Sequence, residues 1–321
     1  MNRGRSCKIA FLALFLVFAS WAGWASFSES PTGGRAAGLD GAVVAAPGDV
    51  FSLYYNPAGL TDLTQPEAGL YYGRLFKGIT DGSNLSRSFF GFASPTRVGT
   101  VGVSYSGFGM GSLYSEEIVS LGYAHPWGAH FRWGAVLNYL KKTVGHDVTT
   151  DSAVDPLAGV SFGTEDTAYA NGRSASSWDG NLGVSWVPNA RWRVGLMGAN
   201  LLESDVGIAS TDRVPRVWKA AGSYASKIGL SLLEVSRRRV GEEMQTRIHG
   251  GIEKAFGRFA VRAGGGLGPD DYAHAAAGFS ATIQSFQFDY GFLFPLAGVK
   301  ETSGSHQLSL ILRFGREDND E

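Results

Sequence analysis

The sequence predicts an all-β fold: a transmembrane antiparallel β-barrel of about 14 strands, with an N-terminal hatch in its lumen. Three observations carry that expectation. Segments about ten residues long alternate apolar and polar side chains, and the links joining them are short and long in turn. A stretch rich in small residues precedes the first of these segments.

Composition narrows the classes available. Of 321 residues, 45 are glycine, 18% are charged and 44% are hydrophobic. That hydrophobic share excludes intrinsic disorder. Beyond the N-terminus no apolar run reaches the roughly 18 residues that a membrane helix needs. The single cysteine, Cys7, supplies neither a disulfide framework nor a thiolate metal site. Residues 1–25 read as a secretory signal: Arg3, Arg5 and Lys8 precede an apolar run too short to span a bilayer, and Gly23-Trp24-Ala25 offers small residues at a cleavage site. Removing that leader takes away basic residues and no acids, and a weakly acidic exported chain is a poor partner for nucleic acid.

From about residue 67 the pattern has period two, so alternate side chains face opposite sides of a sheet. Met244, Thr246, Ile248 and Ile252 share one face, with Gln245, Arg247, His249 and Glu253 on the other. Phe286, Phe288, Tyr290, Phe292 and Phe294 are set against Gln287, Asp289, Gly291 and Leu293. Leu308, Leu310, Leu312 and Phe314 alternate with Gln307, Ser309, Ile311 and Arg313, and Leu182, Val184 and Trp186 with Asp179, Asn181 and Ser185. Such segments centre near Tyr71, Phe90, Val103, Leu121, Leu137, Leu182, Leu196, Gly222, Leu232, Ile248, Val261, Ala277, Tyr290 and Leu310.

Short links are expected around residues 95–97, 126–130, 188–190, 226, 257 and 284, and longer ones over 77–84, 109–115, 145–176, 201–216, 237–242, 268–271 and 295–303. Tight turns at one end and long loops at the other, with an even strand count, is the plan of an outer-membrane barrel. A soluble sandwich gives no such sorting, and the sequence carries no fixed-period repeat of a propeller or solenoid. Trp127, Trp133, Trp186 and Trp192 are expected in an aromatic girdle at the short-turn end, with Trp178, Trp218, Tyr272 and Phe294 at the other.

Residues 26–66 do not alternate. A barrel of this size has a lumen too wide for its own side chains to fill, so a buried N-terminal hatch answers both facts. Within it, Gly34-Arg35-Ala36 through Tyr55-Asn56-Pro57-Ala58-Gly59-Leu60 resembles the hatch of the long-chain fatty-acid transporter superfamily (FadL-like), which includes PorV/PorQ-like barrels. The resemblance rests on about thirty residues, Asn56-Pro57-Ala58 above all. It implies a 14-stranded plugged barrel in the outer membrane of a Gram-negative-type bacterium. The chain departs from typical fatty-acid transporters in being shorter, and residues follow the terminal aromatic Phe314.

The expected organisation is a leader (1–25), hatch (26–66), barrel (67–315) and short tail (316–321). Asn56 before Pro57 favours an extended backbone and an Asx turn, so Asn56, Pro57, Ala58 and Gly59 form the expected hatch turn or gate. Arg35, a charge placed inside the barrel, requires a partner such as Asp49, Glu253 or Asp289. Phe108, Met110 and Leu113 are candidates for ligand capture in a loop at the far end. Gly159-Val160-Ser161-Phe162-Gly163 matches a hydrolase pattern, but no helix follows to build a nucleophile elbow. The six histidines lack metal-ligand spacing; His249 is expected on the lumen wall. Gly264-Gly265-Gly266 reads as a bend or a close approach of the hatch. The loop over 145–176 carries Asp147, Asp151, Asp155, Glu165 and Asp166 and reads as a solvated or partner-binding loop. No catalytic residues, cofactor or metal are expected. The resemblance implies either passive passage of a small hydrophobic or amphipathic molecule, with membrane lipid as surroundings, or a plugged barrel that binds secretion-system proteins.

Overall fold

A computed structural model describes residues 26–79, 84–146, 152–154, 161–165, 172–241 and 243–315. The leader and the tail from residue 316 lie outside these. Sixteen strands are described: β1 (Glu67–Arg74), β2 (Leu85–Thr96), β3 (Gly99–Met110), β4 (Tyr114–Trp127), β5 (Phe131–Val144), β6 (Ser152–Val154), β7 (Ser161–Glu165), β8 (Ser174–Trp186), β9 (Trp192–Ala199), β10 (Val217–Ala225), β11 (Leu230–Val240), β12 (Glu243–Phe256), β13 (Phe259–Leu267), β14 (Ala273–Ile283), β15 (Phe286–Pro295) and β16 (Ser305–Arg313). All except β6 and β7 form one closed antiparallel barrel in which each strand pairs with its sequence neighbours in the sheet. Closure comes from β1 against β16, in register from Glu67↔Arg313 to Arg74↔His306. Each of the 14 expected centres falls in one barrel strand.

Period two decides which side of the wall each residue faces. On β12, Ile248 is 51% exposed while His249 beside it is buried. Every barrel strand turns at least one bulky apolar or aromatic side chain outward and exposed, among them Leu70, Phe90, Leu121, Leu137, Leu182, Leu196, Leu233, Val261, Phe279, Phe288 and Leu308. A continuous apolar belt of this extent is not left to water. Hydrocarbon wets it, and the closed ladder leaves no backbone edge unpaired within the lipid. No helix is long and apolar enough to cross a membrane among the described residues. Trp127, Trp186 and Trp192 project outward at the short-turn end, and Trp178 and Trp218 at the other. Tyr272 departs from the expected girdle: it turns inward, with the Arg247 guanidinium 4.0 Å from its ring centre.

Two links expected to be long are tight. Strands β3 and β4 stay paired to Met110↔Tyr114, and β11 and β12 to Val240↔Glu243. Beyond the lipid a strand has no reason to alternate apolar with polar, so these extensions read as loop. Within the long loop after β5, β6 and β7 pair as a small separate sheet. Ser161 to Gly163 therefore lie on a strand, while Gly159, Val160 and the acids at 147, 151, 155 and 166 fall outside the described residues.

Residues 26–66 fill the lumen with two short helical turns, α1 (Gly34–Ala37) and α2 (Ser52–Tyr55), and a 3-10 turn over Pro57–Asp62. Val50, Phe51, Leu53, Tyr55 and Leu60 pack on the wall residues Tyr71, Phe89, Val136 and Ile311. Val44 and Ala45 meet Met197, Val217 and Ala221, and Leu39 and Ala42 meet Leu232. Such close contact requires inward-facing glycines. A Cβ on Gly134 would lie 2.5 Å from the Pro57 carbonyl carbon, and one on Gly264 would lie 2.8 Å from the Leu39 backbone. At Gly291 it would strike Ala37 and the Gly34 carbonyl. Gly134→Leu should therefore cost about 1–3 kcal/mol by overpacking and lower the melting temperature of the detergent-solubilised protein. Gly222→Ala, where a Cβ meets nothing within 4 Å, should leave it unlowered.

Candidate functional site

The N-terminal segment runs the length of the lumen and is fastened to the wall at both ends and in the middle. At the short-turn end Asn56 has an extended backbone (φ −155°, ψ 103°), as a residue before proline must, and its Oδ1 accepts from the Ala58 N–H at 3.1 Å. Its Nδ2 donates to the Val44 carbonyl at 2.8 Å and to Ser185 on β8 at 3.4 Å. The turn that follows, through Pro57, Ala58 and Gly59, is buried. Thr61 closes it by donating to the Ala58 carbonyl at 2.8 Å. Asp62 then accepts from Gly48 N–H at 2.7 Å, from Arg193 on β9 at 2.5 and 3.1 Å, and from Arg132 on β5.

In the middle, Arg35 forms a two-pronged pair with Glu253 on β12, both contacts at 3.0 Å, donates to the Pro47 carbonyl at 2.8 Å, and lies 3.6 Å from Asp49. Burial works against the Arg35 charge, but the adjacent Glu253 carboxylate outweighs it and holds the guanidinium more firmly protonated than usual. Burial also pushes the Asp49 carboxyl up, with Arg35 only partly offsetting it. Of the three acids proposed for Arg35, Asp289 is one step removed: it sits 3.4 Å from Arg262, which itself pairs with Glu253 at 2.5 Å. Gly34 N–H donates to Ser309 on β16 at 3.0 Å.

Sequence reasoning missed a third fastening. Asp40 is fully buried in the left-handed region (φ 51°) and accepts from Nδ1 of His249 on β12 at 2.8 Å and of His274 on β14 at 3.2 Å. The signal available was Asp40 ahead of Gly41, a turn dipeptide, but its partners lie more than two hundred residues away. Burial raises the Asp40 carboxyl, yet the two imidazole donors overcome it and hold the group below its ordinary value.

At the long-loop end, the Phe27 N–H donates to Glu116 on β4 at 2.7 Å. Ser26 donates to Asp212, which also holds Lys142 of β5 at 2.6 Å. Val206 and Val214, from the loop between β9 and β10, pack on Phe27 and Leu140, so that loop folds inward over the segment. Lys219 bridges Glu29 at 2.9 Å and Glu234 at 3.9 Å. The capture candidates Phe108 and Met110 belong to β3 rather than to a loop, and Leu113 lies in the turn after it. Phe108 faces the lumen beneath the Arg87 guanidinium, 5.5 Å from the ring centre, and Arg87 in turn donates to the Ser28 carbonyl at 3.0 Å.

Two small spaces adjoin the segment. A space of about 30 Å³ lies among Arg35, Val43, Phe51 and Tyr55, and one of about 50 Å³ among Tyr54, Lys219, Arg247, His249 and Tyr272. Each admits a few water molecules, not an aromatic ring. Among the described residues no cluster of three or more His, Cys, Asp or Glu side chains is arranged to hold a metal ion.

In fold the chain resembles FadL-like outer-membrane channels. No family model matches the sequence, and no curated protein does. Among solved structures, the CymD monoaromatic hydrocarbon channel superposes with a TM-score of 0.66 at 15% identity, covering 89% of this chain and 98% of that one. The toluene transporter TodX of P. putida gives 0.66 at 12% identity, over 90% of this chain and 100% of its own. A FadL homologue of Pseudomonas aeruginosa gives 0.58 at 12% identity, over 89% and 99%.

Asp40→Asn offers the most specific test of the segment's docking. It replaces one acceptor oxygen by a donor facing an imidazole N–H, at a cost of about 1–3 kcal/mol. Because the Asp40 carboxyl is depressed below 3.8 in the folded state, its contribution is complete above that pH and lost as the pH falls through the lower folded value. Chemical denaturation of the two proteins should therefore show the wild type more stable at pH 7, with the gap closing towards pH 3.

Proposed function

We propose that this protein is a passive outer-membrane channel for small hydrophobic molecules, in which residues 26–66 act as a movable hatch. One observation carries the reading: the segment packs against the wall around the lumen, and the two spaces described beside it each hold no more than a few waters, so passage along it calls for the segment to shift. The fold shared with hydrocarbon channels supports the substrate class. The long loops then face outward from the cell, and Phe108, Met110 and Leu113 gather ligand at that end. Asn56, Pro57, Ala58 and Gly59 form the turn that swings, and Arg35 is the catch that keeps it seated. Flux follows the concentration gradient. No observation favours the secretion-component reading, and the similar folds lend it no support.

Ala58 sits where the turn backbone meets Gly134 of the wall, and Gly59 packs on Ser52 and Gly48 within the segment. Removing one partner of a part-buried ion pair leaves the other charge uncompensated, costing about 3–5 kcal/mol. Arg35→Ala should therefore loosen the hatch and raise the uptake of labelled toluene into proteoliposomes several-fold. Deleting residues 26–60 should in addition raise single-channel ion conductance in planar bilayers. Unchanged uptake and conductance in both variants, with the heat-modifiable barrel intact, contradicts hatch gating.

A further inference from the structure

On β11 the outward-facing residues change character abruptly. Leu233 and Val235 are exposed and apolar, as the lipid belt requires, but the next two outward positions are Arg237 and Arg239. Registers place their level. Arg237 lies opposite Trp218, the girdle residue of β10, and Tyr224 of that strand, at the short-turn girdle, lies opposite Ser231. Six residues of strand separate Tyr224 from Trp218, about 20 Å along the strand at 3.3 Å per residue and about 15 Å along the barrel axis at a tilt of roughly 40°. Paired with Trp218 of the upper girdle, Arg237 stands at that lipid boundary and Arg239 about 5 Å above it along the barrel axis.

The outward partners across the β11–β12 pairing are Thr246 for Arg237 and Met244 for Arg239, both uncharged. Among the described residues neither guanidinium has an acidic partner. By contrast, the outward Lys141 of β5 at the same end is matched by Glu117 at 3.8 Å. Two like charges held side by side at a lipid boundary are unfavourable unless an anion lies between them. Guanidinium forks match phosphate oxygens in geometry and charge. Directly beneath the pair, Leu233, Val235 and Ile248 form an exposed apolar strip suited to an acyl chain, and Trp218 flanks it at headgroup level. A soluble anion has no use for that strip, whereas a phosphorylated lipid uses both parts.

We propose that Arg237 and Arg239 form a binding site for the phosphate group of an outer-leaflet lipid, whose acyl chain lies along Leu233, Val235 and Ile248. The inference rests on the outer-membrane placement proposed above, which sets the long-loop end in the outer leaflet. It is independent of whether the hatch moves.

The test is native mass spectrometry of the full-length mature protein in detergent, titrated with bis-phosphorylated lipid A, with phosphatidylethanolamine or with inorganic phosphate. The wild type should retain lipid A preferentially. Arg237→Gln with Arg239→Gln should bind it about thirtyfold more weakly, the fold-change given by about 1 kcal/mol for each of the two basic residues. Lys254→Gln, an outward lysine at the short-turn end, should bind as the wild type does. Equal lipid A affinity in the double variant and the wild type overturns the site. So does inorganic phosphate at equal concentration displacing the lipid, since the site would then read a free anion. Toluene uptake should be unaltered in the double variant, so a failure here is separable from a failure of the channel reading, and a retained heat-modifiability shift confirms that the barrel is folded.

Discussion

Every backbone N–H and C=O that crosses hydrocarbon must find a partner within the protein, and the rest of this structure depends on that constraint. The β1–β16 pairing satisfies it by joining the two ends of the sheet. Once the sheet closes, each strand has one face for lipid and one for the lumen, and the side chains sort by parity. Closure also creates a second problem. Fourteen strands enclose more room than their inward side chains can occupy, and the N-terminal segment fills it. The wall accommodates the filling by placing glycine where the segment's backbone comes nearest, as at Gly134, Gly264 and Gly291.

The way the segment is held separates it from an ordinary core. Apolar packing around Phe51, Leu53 and Leu60 is accompanied by ionic and polar fastenings at Arg35, Asp40, Asn56 and Asp62. Buried ion pairs are weak sources of net stability, because the desolvation of both charges consumes most of their attraction. They are strongly position-specific, however, since a part-made pair is costly. A segment seated by such contacts has one well-defined docked position, and departure from it would return its charges to water. That combination suits a hatch better than a permanent core, which apolar side chains alone would hold.

The barrel was legible in the sequence because its physics is local. Alternation at Leu308 to Arg313 or at Met244 to Glu253 states which face each residue takes, without knowledge of any partner strand. The strand ends were less legible. Around Met110 and Val240 the chain has left the lipid, the apolar positions disappear, and a paired strand looks like a loop. Tyr272 was misplaced for a related reason: an aromatic near a strand end suits a girdle, but here Arg247 and the two histidines draw it inward. In the lumen, Arg35 announced its need for a partner, and parity put Glu253 on the correct face. Asp40 with His249 and His274, and Asp62 with Arg132 and Arg193, were invisible, since each joins groups that are far apart in sequence and ordinary in isolation. The inward fold of the loop bearing Val206, Asp212 and Val214 had no periodic signature at all.

The central claim is that molecules pass only when the segment moves. Cysteines introduced at Ala45 of the segment and Ser223 of the wall, where the Ser223 hydroxyl donates to the Ala45 carbonyl at 2.7 Å, allow it to be locked, and the only native cysteine is Cys7. Toluene uptake by proteoliposomes bearing the Ala45→Cys, Ser223→Cys protein is then measured oxidised and reduced. The account predicts at least tenfold slower uptake when the disulfide is formed, with recovery on reduction. Equal uptake in the two states, with the cross-link verified by mass, contradicts it.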